Sequence, residues 1–279
     1  MTAATTVSAY PRLYAERSGT GQPLVLLHGL GLTWQCWRPV LPALERVHEV
    51  LALDLPGFGD TAALRRPPTV DALCDAVEEE LDRAGLGEAH VAGNSLGGWI
   101  ALELARRGRA RSVVALAPAG LELPAERAYV VSVNEAMRLR AKASSRVAPL
   151  LARNPVTRAA MLGAMRARPW RVPADDAVAE IRAFARAPGF QATVRCTIAT
   201  RAPTGLGEIR VPARICFGSR DVLLAPLTSP RFAAAVPGAD LRPLPGCGHV
   251  PMADEPALVA RSICEVTARC APTACPARG

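Results

Sequence analysis

The sequence predicts an α/β protein: a doubly wound, mostly parallel sheet with a helical insertion between two of its strands. Three observations carry this expectation. Short apolar runs alternate with helical stretches from Pro23 to Ala117 and again from Ala213 to Ala268, the rhythm of parallel strands joined by crossover helices. The alternation stops between Leu121 and Leu206, where no strand pattern is found. One apolar run, Ala89 to Ala92, ends in Gly93-Asn94-Ser95-Leu96-Gly97 and opens directly onto a helical stretch. A chain of 279 residues can bury one large core that carries an insertion. Residues 1–120 and 207–279 are expected to form the core, and 121–206 the insertion.

Taken in order, Val7 to Arg17 alternates loosely and is followed by Gly19-Thr20-Gly21, so a strand or strand pair and a turn are expected. Pro23 to Leu27 is a continuous apolar run of buried-strand type, ending at His28-Gly29-Leu30-Gly31. Trp34 to Arg46 reads as a helix with Thr33 as its N-cap. Glu49 to Leu53 is a strand closed by the turn-rich Asp54-Leu55-Pro56-Gly57-Phe58-Gly59. Val70, Leu73, Val77 and Leu81 set a helical period from Val70 to Ala84. The Ala89 strand, a helix from Trp99 to Arg107 and a strand from Ser112 to Ala117 follow. Six prolines, from Pro149 to Pro203, cut the insertion into about four helical pieces. Strands resume at Ala213 to Phe217 and Asp240 to Leu244, with helices at Ser229 to Val236 and Glu255 to Ala268.

Charge is distributed unevenly. Thirteen arginines and Lys142 stand against six carboxylates between Leu121 and Ala202, so this segment holds the whole net excess of eight. The arginines are scattered with no interleaved aromatic residues, which reads as solvated helix faces rather than a nucleic-acid surface. No apolar run approaches the ~20 residues of a membrane span, and Met1 to Tyr10 lacks the pattern of a signal peptide. A cytoplasmic protein with free thiols is therefore expected, with neither nucleic acid nor membrane as partner, as a monomer or homodimer. Cys270 and Cys275 lie in a Pro/Ala-rich tail read as frayed; no metal or other cofactor is expected.

Glycines two residues either side of Ser95 are what a sharp strand-to-helix turn needs, and such a turn projects a serine hydroxyl clear of a sheet. A serine nucleophile needs a base within hydrogen-bond reach and a carboxylate to orient that base. Of four histidines, His48 and His90 read as surface or structural and His28, beside Gly29, as structural. His249 follows a strand in the turn Gly246-Cys247-Gly248-His249, which makes it the expected base. Asp221, in the turn after the preceding strand, is the expected acid; Asp54 and Glu122 are weaker alternatives, Asp54 reading as a loop-fixing residue. The order Ser95, Asp221, His249 is the one expected for a nucleophile on a Gly-x-Ser-x-Gly turn.

His28-Gly29-Leu30-Gly31, Asp54 to Gly59, Gly93 to Gly98, Gly218 to Asp221 and Gly248-His249 together resemble the α/β-hydrolase superfamily, in its capped esterase-like branch, over Leu24 to Ala268. The resemblance implies an α/β-hydrolase fold with the insertion as a cap, ester or related acyl hydrolysis of a small-molecule substrate, and an oxyanion hole from the backbone N–H groups of Leu30 and Leu96. Epoxide hydrolases and haloalkane dehalogenases of the superfamily need an aspartate nucleophile, and Ser95 argues against both. The family's loop usually ends in serine where this chain has Asp60-Thr61. Members that cleave carbon–carbon bonds of meta-cleavage products share the Ser–Asp–His set, so that chemistry stays open. So do acyl transfer and a ligand-binding member that has lost turnover. Trp34, Trp37, Met137 and Val250 are candidate pocket residues, with core packing an equal reading for the two tryptophans.

Overall fold

The structure, a computed structural model, describes residues 9–200, 202–224 and 228–270. Its sheet has seven strands in the order β1-β3-β2-β4-β5-β6-β7. They are β1 (Ala15–Gly19), β2 (Gln22–Leu27), β3 (His48–Leu53), β4 (Ala89–Asn94), β5 (Ala110–Leu116), β6 (Ala213–Gly218) and β7 (Asp240–Leu244). Every neighbouring pair is parallel except β1 with β3. β4 and β6 are buried along their whole length, which is why their sequences run apolar without alternation. β1 is an edge strand and alternates.

β1 begins at Ala15, toward the end of the expected Val7 to Arg17 stretch. Residues 1–8 lie outside the described ones, and the amides just before β1 are taken by side chains instead of a ladder. Leu13 N–H donates to Glu80 (3.1 Å) and Tyr14 N–H to Thr61 Oγ1 (2.9 Å). The helix expected over Trp34 to Arg46 is instead a 3-10 turn, Trp34–Trp37, and a single helical turn α1 (Leu41–Leu44). Pro39 and Pro42 supply no backbone N–H, so a continuous ladder cannot run through them. Helix α2 (Val70–Arg83) starts where Thr69 Oγ1 accepts from Ala72 N–H at 3.2 Å and buries Val70, Leu73, Val77 and Leu81. Helix α3 (Leu96–Arg106) begins three residues earlier than its sequence pattern indicates, immediately at the turn. Arg107, held by Glu103 of α3, ties that helix to α2 through Asp71, Asp75 and Glu78.

Between β5 and β6 the chain forms α4 (Pro124–Ser144), α5 (Ala148–Arg153), α6 (Pro155–Leu162), α7 (Ala174–Arg186) and α8 (Phe190–Ala199), five helices where about four are expected. Prolines open these helices as often as they separate them. Pro124, Pro149 and Pro155 occupy first-turn positions, where a missing N–H costs nothing because those amides have no intrahelical acceptor. The solvated-face reading holds for exposed Lys142, Arg146 and Arg153 but not for Arg166, which is 5% exposed and paired to Glu180 at 2.6 Å. Helices α9 (Ser229–Ala235) and α10 (Pro256–Thr267) complete the core. No helix among the described residues is long and apolar enough to cross a membrane. Residues 271–279, with Cys275, lie outside the described residues.

His28, His48 and His90 are all buried, so none is a surface residue. His28 Nε2 accepts from Leu55 N–H (2.9 Å), which leaves Nδ1 to donate to Gly29 O (2.8 Å). His90 Nε2 faces Gln22 Oε1, an acceptor, at 2.6 Å, so its Nδ1 accepts from Ser112 (2.8 Å). Burial lowers both to a pKa of about 4, aided at His90 by repulsion from His48 and Arg111. In the unfolded chain these rings protonate near pH 6.5, whereas in the folded protein they stay neutral down to about pH 4. Their contribution is therefore fully present above about pH 6.5 and lost as pH falls toward 4, up to about 3 kcal/mol each. The urea midpoint should drop steadily from about pH 7 to about pH 4.5; a flat midpoint would show that these rings are not held neutral.

Candidate active site

The turn after β4 is set by two close backbone approaches. A Cβ on Gly93 would fall on the carbonyl of Gly97, and one on Gly97 would fall on the carbonyls of Leu27 and His28. Glycine is needed at both positions because another strand or turn passes there, not for its φ range. The unusual backbone belongs to Ser95 itself, at φ 55° and ψ −115°. Ser95 N–H donates to Leu116 O (2.9 Å), and Ser95 O accepts from Trp99 (3.0 Å) and Ala119 (3.1 Å). The strain is thus fixed by β5 on one side and α3 on the other.

Asp221 stands three residues beyond β6 and His249 five beyond β7. His249 Nδ1 lies 3.0 Å from Asp221 Oδ2, with both side chains almost wholly buried. The other oxygen, Oδ1, accepts from Leu223 N–H (2.7 Å) and Leu224 N–H (3.0 Å). Burial pushes the Asp221 carboxyl up, but His249 and the two amides outweigh it and hold the group below its usual range. A carboxylate only accepts, so Nδ1 carries a proton, and in the neutral ring Nε2 presents a lone pair. Ser95 and His249 line one small cavity with Gly29, Leu30, Asn94 and Val250. No hydrogen bond joins Ser95 to His249 among the described residues; such contacts commonly tighten only when substrate is bound.

Leu30 and Leu96 line a larger cavity, of about 70 Å³, that also reaches Ser95. Neither amide has a protein acceptor among the described residues, and Leu96 is the first residue of α3, where N–H groups are unsatisfied and the helix dipole favours negative charge. The cavity walls are apolar at Trp99, Val130, Val131 and Val194, with Glu122, Arg127, Asn134 and Thr197 as polar points. Three of the four expected pocket residues lie elsewhere. Trp37 is fully buried in the core with Val40 and Leu44. Trp34 lines a separate crevice with Asp54, Asp60, Arg182 and Arg186, and Arg38 stands 5.1 Å from its ring. Met137 is buried and absent from the walls of both Ser95 cavities. Only Val250 joins Ser95 and His249. The segment broken at Pro39 and Pro42 turns Trp37 inward.

The rival carboxylates are engaged otherwise. Asp54 accepts from Trp34 N–H (2.8 Å) and Asp60 N–H (3.0 Å), holding its own loop. Glu122 accepts from Gly120 N–H with both oxygens, at 2.9 and 3.1 Å. Cys247 is buried, and burial raises its thiol to about 12, far from a reactive thiolate. Two positions went unmarked in the sequence. Asn94 Nδ2 donates to Leu116 O (3.1 Å) and to His249 O (2.9 Å), linking the serine turn to the histidine turn. Asp254 contacts the amide of Gly248 (2.8 Å), next to His249. Asn94 sits at a variable position of the turn motif, and Asp254 is spaced like any surface acid, so neither offers a local signal.

Residues 24–262 match the model of the alpha/beta hydrolase family, and the chain belongs to that family. It is 33% identical over 218 residues to an epoxide hydrolase, EphH, of Mycobacterium tuberculosis, covering 72% of this chain and 95% of that one. A pimeloyl-[acyl-carrier protein] methyl ester esterase of Aromatoleum aromaticum is 31% identical, over 84% of this chain and 93% of the other. The solved structure of a thermophilic esterase from Thermogutta terrifontis superposes with a TM-score of 0.74 at 23% identity, covering 93% of this chain and 94% of that one; at that identity the likeness speaks to the fold.

The backbone of Ser95 gives a direct test of the turn. Ser95→Gly should raise the unfolding free energy by about 1 kcal/mol, because glycine adopts this φ without strain. Urea titration reads it, and a variant less stable than wild type would show that the positive φ is not a source of strain.

Proposed function

We propose that this α/β hydrolase is a serine hydrolase that cleaves ester or related acyl bonds of a small molecule through an acyl-enzyme. The observation that carries the reading is that His249, its Nδ1 held by Asp221, lines the same cavity as Ser95 on its strained turn. In this mechanism Ser95 Oγ attacks the acyl carbon as His249 Nε2 takes its proton. The developing oxyanion is held by the N–H groups of Leu30 and Leu96, each worth about 3 kcal/mol of barrier. The leaving alcohol departs with the proton from Nε2, and water then releases the acid by the same steps in reverse. Asp221 keeps the ring in the tautomer that accepts at Nε2 and stabilises the imidazolium. The helices of 121–206 act as a cap over a core of 1–120 and 207–279, since both contribute walls around Ser95.

The chemistry also separates this reading from epoxide opening. A carboxylate attacking an epoxide yields an ester that water can cleave, whereas a serine alkoxide would yield an inert ether. A cytoplasmic setting belongs to the same proposal and rests on the seven described cysteines being unpaired.

One observation favours a second reading, carbon–carbon hydrolysis of a carboxylate-bearing diketone. Arg127 lines the Ser95 cavity, with Nη1 shared between Ile198 O (3.3 Å) and Thr200 O (3.2 Å). No carboxylate pairs with it among the described residues, so its other donors are available to a substrate carboxylate.

A fluorophosphonate should label wild type and leave Ser95→Ala unmarked; equal labelling would remove Ser95 from the mechanism. On a short p-nitrophenyl ester, His249→Ala should lower kcat about 10³-fold or more, and an unaltered rate would deny the imidazole its role. Arg127→Gln should raise KM for a carboxylate-bearing dienone about 10-fold while sparing a neutral ester if the second reading is right. Equal behaviour on both substrates would decide for the neutral acyl substrate.

A further inference from the structure

We infer that Asp254 is a positioning residue for His249, and that through it residues 165–168 of the insertion help hold the imidazole in place. The inference rests on the serine-hydrolase reading. Asp254 follows the 3-10 turn Pro251–Ala253 and is 2% exposed. Its Oδ2 accepts from Gly248 N–H (2.8 Å) and Ala167 N–H (3.0 Å), and Oδ1 from Arg168 N–H (2.8 Å). One buried carboxylate thus joins the residue before His249 to two consecutive amides of the insertion. Hydrogen bonds to an ionised acceptor are about twice as strong as neutral ones.

The residues on either side of His249 are held as firmly. Val250 N–H donates to Met165 O (2.8 Å), and Val250 O accepts from Arg166 Nη1 (3.3 Å). His249 O accepts from Asn94 on the opposite side. The two segments also touch too closely for a side chain: a Cβ on Gly248 would lie 2.7 Å from Ala167 N and 2.9 Å from Arg166 C. Arg166 in turn meets Glu180 on α7 at 2.6 Å, both side chains buried. The insertion is therefore joined to the histidine turn by a carboxylate bridge, one main-chain bond, one bond from the Arg166 side chain and a glycine contact.

The consequence is mechanical. Lifting the 165–168 segment of the insertion would pull on Gly248 and Val250 together and tilt the ring away from Asp221 and Ser95. Turnover then requires this segment to stay docked, and the site's geometry depends on a carboxylate that touches no reacting atom.

Asp254→Asn keeps the shape and places an amide N–H₂ against at least one main-chain donor. On a short p-nitrophenyl ester, kcat should fall about 10- to 100-fold, with KM within about twofold. The rate of fluorophosphonate labelling at Ser95 should fall by a similar factor, because it also depends on the imidazole. Gly248→Ala, which separates the same segments and leaves the carboxylate intact, should give the same split and carries the test if Asp254→Asn does not fold. Val77→Ala, a core change on α2, serves as the destabilised control and should leave kcat and labelling unchanged. Wild-type kcat in the folded positioning variants, or an equal kcat loss in Val77→Ala, would overturn the inference. If His249→Ala is also fully active, the hydrolase reading itself fails; if it is inactive while Asp254→Asn and Gly248→Ala are not, only this inference does.

Discussion

The backbone crossing at Gly93 and Gly97 constrains everything else in the site. Because Gly97 packs against the carbonyls of Leu27 and His28, the start of α3 can sit directly over the end of β2. The chain must then reverse within Asn94 and Ser95, and the positive φ falls on a residue that has a side chain. That cost is met by a sheet whose central strands are buried on both faces and whose registers leave no room for the turn to relax. Since β2, β4, β5, β6 and β7 are parallel, the segments that follow them end at one edge. Leu30, Ser95, Glu122, Asp221 and His249 come from five different connections, and strand direction brings them to the same edge.

Histidine shows how environment assigns a role to a residue type. His28 and His90 are saturated by neutral partners, so burial lowers both to about 4 and each is kept as a neutral part of the core. His249 is as buried, but its Nδ1 meets a carboxylate that is itself held ionised by two amides. A positive charge on that ring has a partner; a positive charge on His28 has none. In the proposed mechanism this difference, rather than position in the sequence, separates a base from a spacer.

The parts of the fold and of the candidate site that are legible in the sequence carry local signals. The glycines around Ser95, the strand ends before Asp221 and His249, and the apolar period of α2 are all patterns within a few residues. The failures share the opposite property. The burial of Trp37 depends on how the segment broken by Pro39 and Pro42 folds back over the core, which no local pattern carries. Met137 lies on a long helix whose inward face could not be chosen from one sequence. Asn94 and Asp254 act through backbone groups 155 and 87 residues away, and a backbone partner leaves no trace in residue type. Arg166 is one of many arginines in a basic insertion, and its burial between Glu180 and Val250 O depends on contacts 14 and 84 residues away.

The insertion meets the core in two physically different ways, and this divides geometry from selectivity. Near His249 the contact is polar and directional, with Asp254, Met165 O and the Arg166–Glu180 pair fixing atoms to within a hydrogen bond. A second directional contact joins Gly189 N–H to Gly57 O at 2.9 Å, where a Cβ on Gly57 would lie 2.7 Å from Gly189 Cα. Removing half of a buried ion pair leaves a charge without a partner, so these contacts tolerate little change. Over Ser95 the walls are sides of α4 and α8, where Val130, Val131 and Val194 present apolar surface. Apolar contacts of similar volume can be exchanged at small cost. Substitutions on α4 and α8 can therefore reshape the cavity without moving His249, whereas substitutions along 165–168 cannot reshape anything without moving it.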